Sequence, residues 1–284
     1  MKKRKPEVVV ISDINLGTEE CRADDLLVYL SSIKPKILVL NGDIYGNSGN
    51  TPTKFPCSHI KVIKKLLSMY SDGTKIFYLK GDKDKLFRRS NYRTFGDFTI
   101  DKELVLDLDG KKTWILHGDV FKTNLNLAKW IKPFRDKKSD LLYPKVYSEK
   151  QRAKGNSRMV VSQIHKLSSD YGDATEFMDQ MEFKAVNKAI KKGIDTVICG
   201  HNQKPVKSIH ENRKGQCKYL NSGDWVKHLT ALEYSFKRWK LYSFKLDKLT
   251  AFYGDEDLKA LNQTQISQNF WDQMGHKENP RTAS

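Results

Sequence analysis

Residues 8–15 read VVVISDIN, four consecutive apolar residues that end abruptly on Ser12, Asp13 and Asn15. A run with no polar face is the pattern of a strand covered on both sides within an α/β sheet. The same design returns along the chain. Ile37–Leu40 leads to Gly42-Asp43, Ile76–Leu79 to Gly81-Asp82-Lys83-Asp84, Thr113–Leu116 to His117-Gly118-Asp119, and Asp195–Cys199 to Gly200-His201-Asn202-Gln203. Between the first three lie helical spacings, Leu26, Leu27, Leu30 and Ile33, then Ile60, Ile63, Leu66 and Leu67, so the first third reads β-α-β-α-β. Ligands of such sheets gather at the carboxyl ends of the strands, which brings polar groups together from distant parts of the chain. Glycine beside these groups lets the backbone turn sharply and approach closely.

Further along, Phe98 to Leu108, the Asp109-Gly110 turn and Thr113 to His117 read as a hairpin. Met181, Phe183, Val186, Ala189 and Ile190 mark a helix, and Tyr219–Asn221, Leu229–Tyr234 and Trp239–Phe244 read as antiparallel strands of a second sheet. Residues 122–170 differ in kind, with twelve Lys or Arg against four Asp or Glu and apolar residues interleaved. They are expected to form a basic helical cap inserted into one domain made of residues 1–121 and 171–255, followed by a polar tail, 256–284. A chain of 284 residues buries a core without staples, and Cys21, Cys57, Cys199 and Cys217 show neither CxxC spacing nor a disulfide framework. With no signal-peptide pattern and no long apolar run, the expected location is the cytoplasm. The net charge of +17 favours anionic partners: nucleic acid, acidic lipid or a phosphorylated substrate.

The five strand ends, in this order, resemble the blocks D-x-H, G-D-x-x-D, G-N-H-D/E, H and G-H-x-H of the calcineurin-like metallophosphoesterases, over roughly Val8 to Phe244. Within that superfamily LHGDVF (116–121), VICGH (197–201) and YLNSGDWV (219–226) are most similar to the UDP-2,3-diacylglucosamine hydrolase branch of lipid A biosynthesis. The resemblance implies a four-layer αββα sandwich and a pair of metal ions bridged by Asp43, which activate water for in-line attack on phosphorus. It assigns Asp13, Asn15, Asp43 and Gln203 to one metal, and Asp43, Asp82, His117 and His201 to the other. The family has histidine where Asn15 and Gln203 stand, asparagine at Asp82 and aspartate at Gly46. The expectation is one tight and one weak site, with Mn²⁺ or Mg²⁺ favoured over Zn²⁺ because amides replace imidazoles. Lys83 stands where the family carries a histidine, or this branch an arginine, and supplies positive charge to a phosphoryl oxygen; Asp84 orients its neighbours.

These readings lead to a metal-dependent phosphoesterase acting on a phosphoester or pyrophosphate bond. The substrate class is a diphosphate-containing nucleotide-lipid at the inner face of a membrane, with the basic cap meeting phosphates and anionic lipid. Two other functions remain open at this point. One is a pseudoenzyme that keeps the anion pocket without turnover; the other is a nucleic-acid-binding homologue, disfavoured because the basic run has no aromatic stacking platform.

Overall fold

The computed structural model describes residues 3–46, 56–84, 93–121, 145–147 and 172–249. The first part follows the expected alternation: β1 (Val8–Ile11), α1 (Ala23–Ser32), β2 (Ile37–Asn41), α2 (Cys57–Ser71) and β3 (Lys75–Leu79). These three strands are parallel neighbours, with Val8 opposite Ile37 and Ile37 opposite Lys75. Then come β4 (Arg93–Phe95), β5 (Phe98–Asp101), β6 (Glu103–Leu108), β7 (Lys111–Leu116), β8 (Lys145–Tyr147) and α3 (Gly172–Lys191). The chain continues as β9 (Thr196–Cys199), β10 (Val206–Asn212), β11 (Gly215–Asn221), β12 (Thr230–Ser235) and β13 (Arg238–Ser243).

Two sheets result, ordered β13-β12-β1-β2-β3-β5-β4 and β6-β7-β9-β11-β10-β8. Strand periodicity explains how they stack. Val8 and Val10 point between the sheets, where they join Val39, Leu79, Ile115, Ile198, Leu220 and Leu232. Val9 and Ile11 point the other way, into a cluster with Leu26, Leu30, Val62 and Met69 of α1 and α2. On the far side of the second sheet Trp114, Val197 and Tyr219 pack against Ala185, Val186 and Ala189 of α3. The layers are therefore helix, sheet, sheet, helix, the αββα sandwich the resemblance implies, and all four residues of β1 are buried because both of its faces are covered.

The sheets are divided differently from the sequence reading in two places. Phe98 to Leu108 is not one arm of a hairpin: β5 runs parallel to β3 in the first sheet, while β6 pairs with β7 in the second. The chain changes sheet at Lys102, whose amide donates to Asp101 Oδ1 at 2.7 Å. β12 and β13 likewise belong to the first sheet, with β12 antiparallel to β1 and Val8 opposite Tyr234. Sequence neighbours usually pair, and β11 to β12 breaks that habit because the turn at Ser222–Leu229 carries the chain from one layer to the other. β11 itself lies parallel to β9, and β10 was not read from the sequence at all. Within the segment read as a helical cap, Lys145–Tyr147 form β8 at the edge of the second sheet, antiparallel to β10. The other residues of 122–170 and all of 256–284 lie outside the described residues. No helix among the described residues is long and apolar enough to cross a membrane.

Candidate metal centre

β1, β2 and β3 of the first sheet and β7 and β9 of the second end at one place, and their polar successors meet there. Asp43, Asp82, His117 and His201 each offer a ligand atom, and these atoms lie within 4.8 Å of one another, the one such cluster among the described residues. The backbone is bent to make this possible. Asp13, Asn15, Asp43, His201 and Gln203 all take left-handed φ angles, between 53° and 60°, at a cost on the order of 1 kcal/mol each. Gly42, at φ 79°, gives the room: a Cβ there would sit 2.3 Å from His117 Nδ1.

Each ligand is aimed by a neighbour. His117 Nδ1 lies 2.9 Å from the Asn41 carbonyl, which takes its proton and turns Nε2 toward Asp43 Oδ1 at 3.4 Å and His201 Nδ1 at 3.3 Å. Asn41 Nδ2 in turn donates to the Leu116 carbonyl at 3.1 Å, joining the two sheets at their ligand ends. Asp84 accepts from the amides of Asp43, Ile44, Tyr45 and Gly81 and from the Tyr78 hydroxyl at 2.7 Å. It thus pins the loops after β2 and β3 together beneath the cluster.

The second predicted group, Asp13, Asn15 and Gln203, is also brought together, but its polar atoms engage one another. Gln203 Nε2 donates to Asp13 Oδ1 at 3.2 Å, His201 N to Asp13 Oδ2 at 3.1 Å, and Asn15 Nδ2 to the Asp13 carbonyl at 3.3 Å. Lys83 Nζ stands 3.2 Å from Asn15 Oδ1 and 3.3 Å from Asp43 Oδ2, and its amide donates to Asp43 Oδ1 at 3.1 Å. Gly46 leaves no room for a carboxylate, because a Cβ there would meet Thr18 Cγ2 at 2.1 Å.

The electrostatics are those of a buried anionic site. Burial pushes the Asp13 carboxyl up to about 6, with His117 opposing and Asp43 adding to the rise. Burial also disfavours the His117 imidazolium, but the hydrogen bond to Asp43 and the charges of Asp13 and Asp43 outweigh it and raise the ring to about 9. Asp43 is held well below the usual carboxylate range: the gain from His117 and Lys83 overcomes its burial. Two imidazoles and two carboxylates this close together, one imidazole oriented from behind, fit a divalent ion.

Sequence reasoning gave no role to Asn41, Tyr78, Ser12 or Asn221. Asn221 Nδ2 donates to the Gly200 carbonyl at 2.7 Å, and its Oδ1 accepts from Gly223 N at 2.8 Å. Ser12 Oγ lies 2.7 Å from Ser222 Oγ and donates to the Gly223 carbonyl at 2.9 Å. The legible signal was the polar Asn221-Ser222-Gly223 following an apolar strand, the same signature as the other five strand ends. Elsewhere His59 Nδ1 accepts from Gly17 N, His210 pairs with Glu182, and His228 pairs with Asp224. Asp119 opens a short 3₁₀ turn, and Trp225 is buried in the core of the first sheet.

Acids that follow strands of the first sheet and imidazoles that follow strands of the second converge where the two stacked sheets end, the arrangement of a metal-dependent phosphoesterase. The family model for calcineurin-like phosphoesterases matches residues 6–205, well over half of the chain, and the chain belongs to that family. Among curated proteins it is similar to a UDP-2,3-diacylglucosamine hydrolase of Aliivibrio fischeri, 22% identical over 247 residues that cover 83% of this chain and 97% of the relative. The hydrolase of the same name from Marinobacter nauticus is 25% identical over 240 residues, covering 79% and 92%. Among solved structures it is similar to Yfce, a phosphoesterase from E. coli, at 12% identity and a TM-score of 0.42, covering 84% of this chain and 92% of that one.

Proposed function

We propose that this chain hydrolyses a phosphoester or pyrophosphate bond in a diphosphate-containing nucleotide-lipid, in the cytoplasm at the inner face of a membrane. The proposed cofactor is a divalent ion held by Asp43, Asp82, His117 and His201. The observation that carries the reading is the convergence of these four ligand atoms. The substrate class rests on the relatives, which are named as hydrolases of UDP-2,3-diacylglucosamine, a nucleotide sugar bearing acyl chains. Mn²⁺ suits two imidazoles and two carboxylates better than Mg²⁺, which avoids nitrogen.

When bound, such an ion supplies Lewis acidity toward a phosphoryl oxygen and makes water acidic enough to attack at neutral pH. The chain's own residues prepare the place. His117 keeps Nε2 inward through its Asn41 contact, Asp84 holds the loops that carry Asp43 and Asp82, and Lys83 contributes a fixed positive charge for an anionic substrate.

The test is hydrolysis of a generic phosphodiester and of a UDP-linked diacyl sugar with Mn²⁺, Mg²⁺ or Zn²⁺ added to metal-stripped protein. Mn²⁺-dependent cleavage is expected, with turnover reduced at least ~100-fold in Asp43→Asn, since that change removes a ligand and its charge. An ion bound at the four residues without turnover of either substrate would make the chain a binding module.

A further inference from the structure

The resemblance leaves room for two metal ions, but the observed contacts at the second position describe something else. We propose that the Lys83 ammonium takes the place of the second metal ion, so that the centre works with one divalent ion and one built-in cation. The inference rests on the metal-dependent reading above and specifies how its site is built.

Geometry carries it. A second ion would need Asp43 as a shared ligand together with the oxygen of Asn15. Lys83 Nζ already sits on both, 3.3 Å from Asp43 Oδ2 and 3.2 Å from Asn15 Oδ1. Asp43 is then divided between two cations: Oδ2 faces Lys83, while Oδ1 faces His117 and the four-residue cluster. The remaining groups are arranged to match. Gln203 turns its N–H₂ to the Asp13 carboxylate, donating a hydrogen bond instead of offering a lone pair to a metal, while Asn15 donates to the Asp13 main-chain carbonyl and leaves its Oδ1 to Lys83. A histidine at position 203 would present a nitrogen lone pair; the Gln203 amide instead places a hydrogen bond on Asp13 Oδ1.

Charge agrees with geometry. Leaving aside Asp84, whose oxygens are taken by five donors, the site holds three carboxylates, Asp13, Asp43 and Asp82. One divalent ion and one ammonium neutralise three carboxylates. The substitutions at Asn15, Asp82 and Gln203 thereby become parts of a single arrangement with Lys83. The lysine is a compact point charge on a flexible stem, so it can stand where an ion would without presenting the fork of an arginine.

The experiment is titration of metal-stripped natural protein with Mn²⁺, read by bound metal per chain and by the electron paramagnetic resonance spectrum, neither of which needs turnover. One Mn²⁺ per chain with the six-line spectrum of an isolated ion is expected. Lys83→Met keeps the length of the stem and removes the charge, and it should bind a second Mn²⁺ at least tenfold more tightly than the natural chain, with a spin-coupled signal. Adding Asn15→His and Gln203→His to Lys83→Met should strengthen that second site further, whereas the two histidines without the lysine change should not fill it. Two ions with a coupled spectrum in the natural protein would overturn the assignment of Lys83 and leave the metal-dependent reading standing. A Lys83→Met variant whose second ion binds no better than in the natural chain would also overturn it, and no bound Mn²⁺ at all would overturn the metal-dependent reading itself.

Discussion

Asp84 collects five donors from three separate stretches, the loop after β2, the loop after β3 and Tyr78 in β3. Burial pushes its carboxyl above the usual carboxylate range, while Tyr78 and the amides of Gly81 and Tyr45 pull it down. Asp84→Asn keeps the volume but turns an amide N–H₂ toward groups that themselves donate, so the loops bearing Asp43 and Asp82 should shift apart. The expected loss in Mn²⁺ affinity is about 10- to 100-fold, the range for partners that orient metal ligands, measured by calorimetry on metal-stripped protein. An unchanged affinity would mean that the loops hold their places without it. Gly42→Ala is expected to be more damaging, since its Cβ would overlap the His117 ring and the backbone has positive φ. Loss of Mn²⁺ binding together with a lowered melting temperature would bear this out. At this scale the identity of the candidate ligands was visible in one sequence, because each follows an apolar strand. The partnership of Lys83 with Asn15 was not, because residues 68 positions apart meet only after β1 and β3 are laid in the same sheet.

Among the elements, the turn between β11 and β12 carries the chain from the second sheet to the first and is held by its own side chains. Asp224 Oδ1 accepts from the amides of Val226, Lys227 and His228, and Oδ2 pairs with the His228 ring. These contacts outweigh burial and hold the Asp224 carboxyl below its ordinary value. Asp224→Ala leaves several donors without an acceptor and should lower stability by about 3 kcal/mol. The sign of the pH dependence follows from the depressed value: the contribution is fully present above the unfolded-state aspartate value of about 3.9 and fades as pH falls through the lower folded one. Denaturant midpoints of the natural and Asp224→Ala chains should accordingly converge as pH falls below about 4; a constant difference would assign the loss to packing alone. Element types followed the periodicity of apolar residues, whereas sheet membership did not. Phe98 to Leu108 has apolar residues on either side of Lys102, and nothing in that spacing marks a change of layer.

Across the whole molecule the charge of +17 is unevenly spread, and residues 122–170 carry a surplus of eight positive charges. If this segment meets an anionic membrane, reversing several of its lysines to glutamate should weaken binding to vesicles of acidic lipid while the circular dichroism of the sandwich stays the same. Unchanged binding would remove the membrane role from the segment. Salt titrations of binding to those vesicles and to DNA separate a lipid surface from a nucleic acid, since each phosphate contact steepens the dependence. By itself the sequence determined the strand ends at which polar groups gather, because these depend on periodicity and on residues close together along the chain, and its motifs carried the family resemblance that implies the four-layer class. Only the tertiary structure decided which strands share a sheet and which polar atoms face each other across it. Those outcomes depend on how two sheets stack and how five left-handed residues in three loops aim their side chains, so Lys83 could be placed against Asn15 and Asp43, where the family pattern puts a second ion, only once the chain was folded.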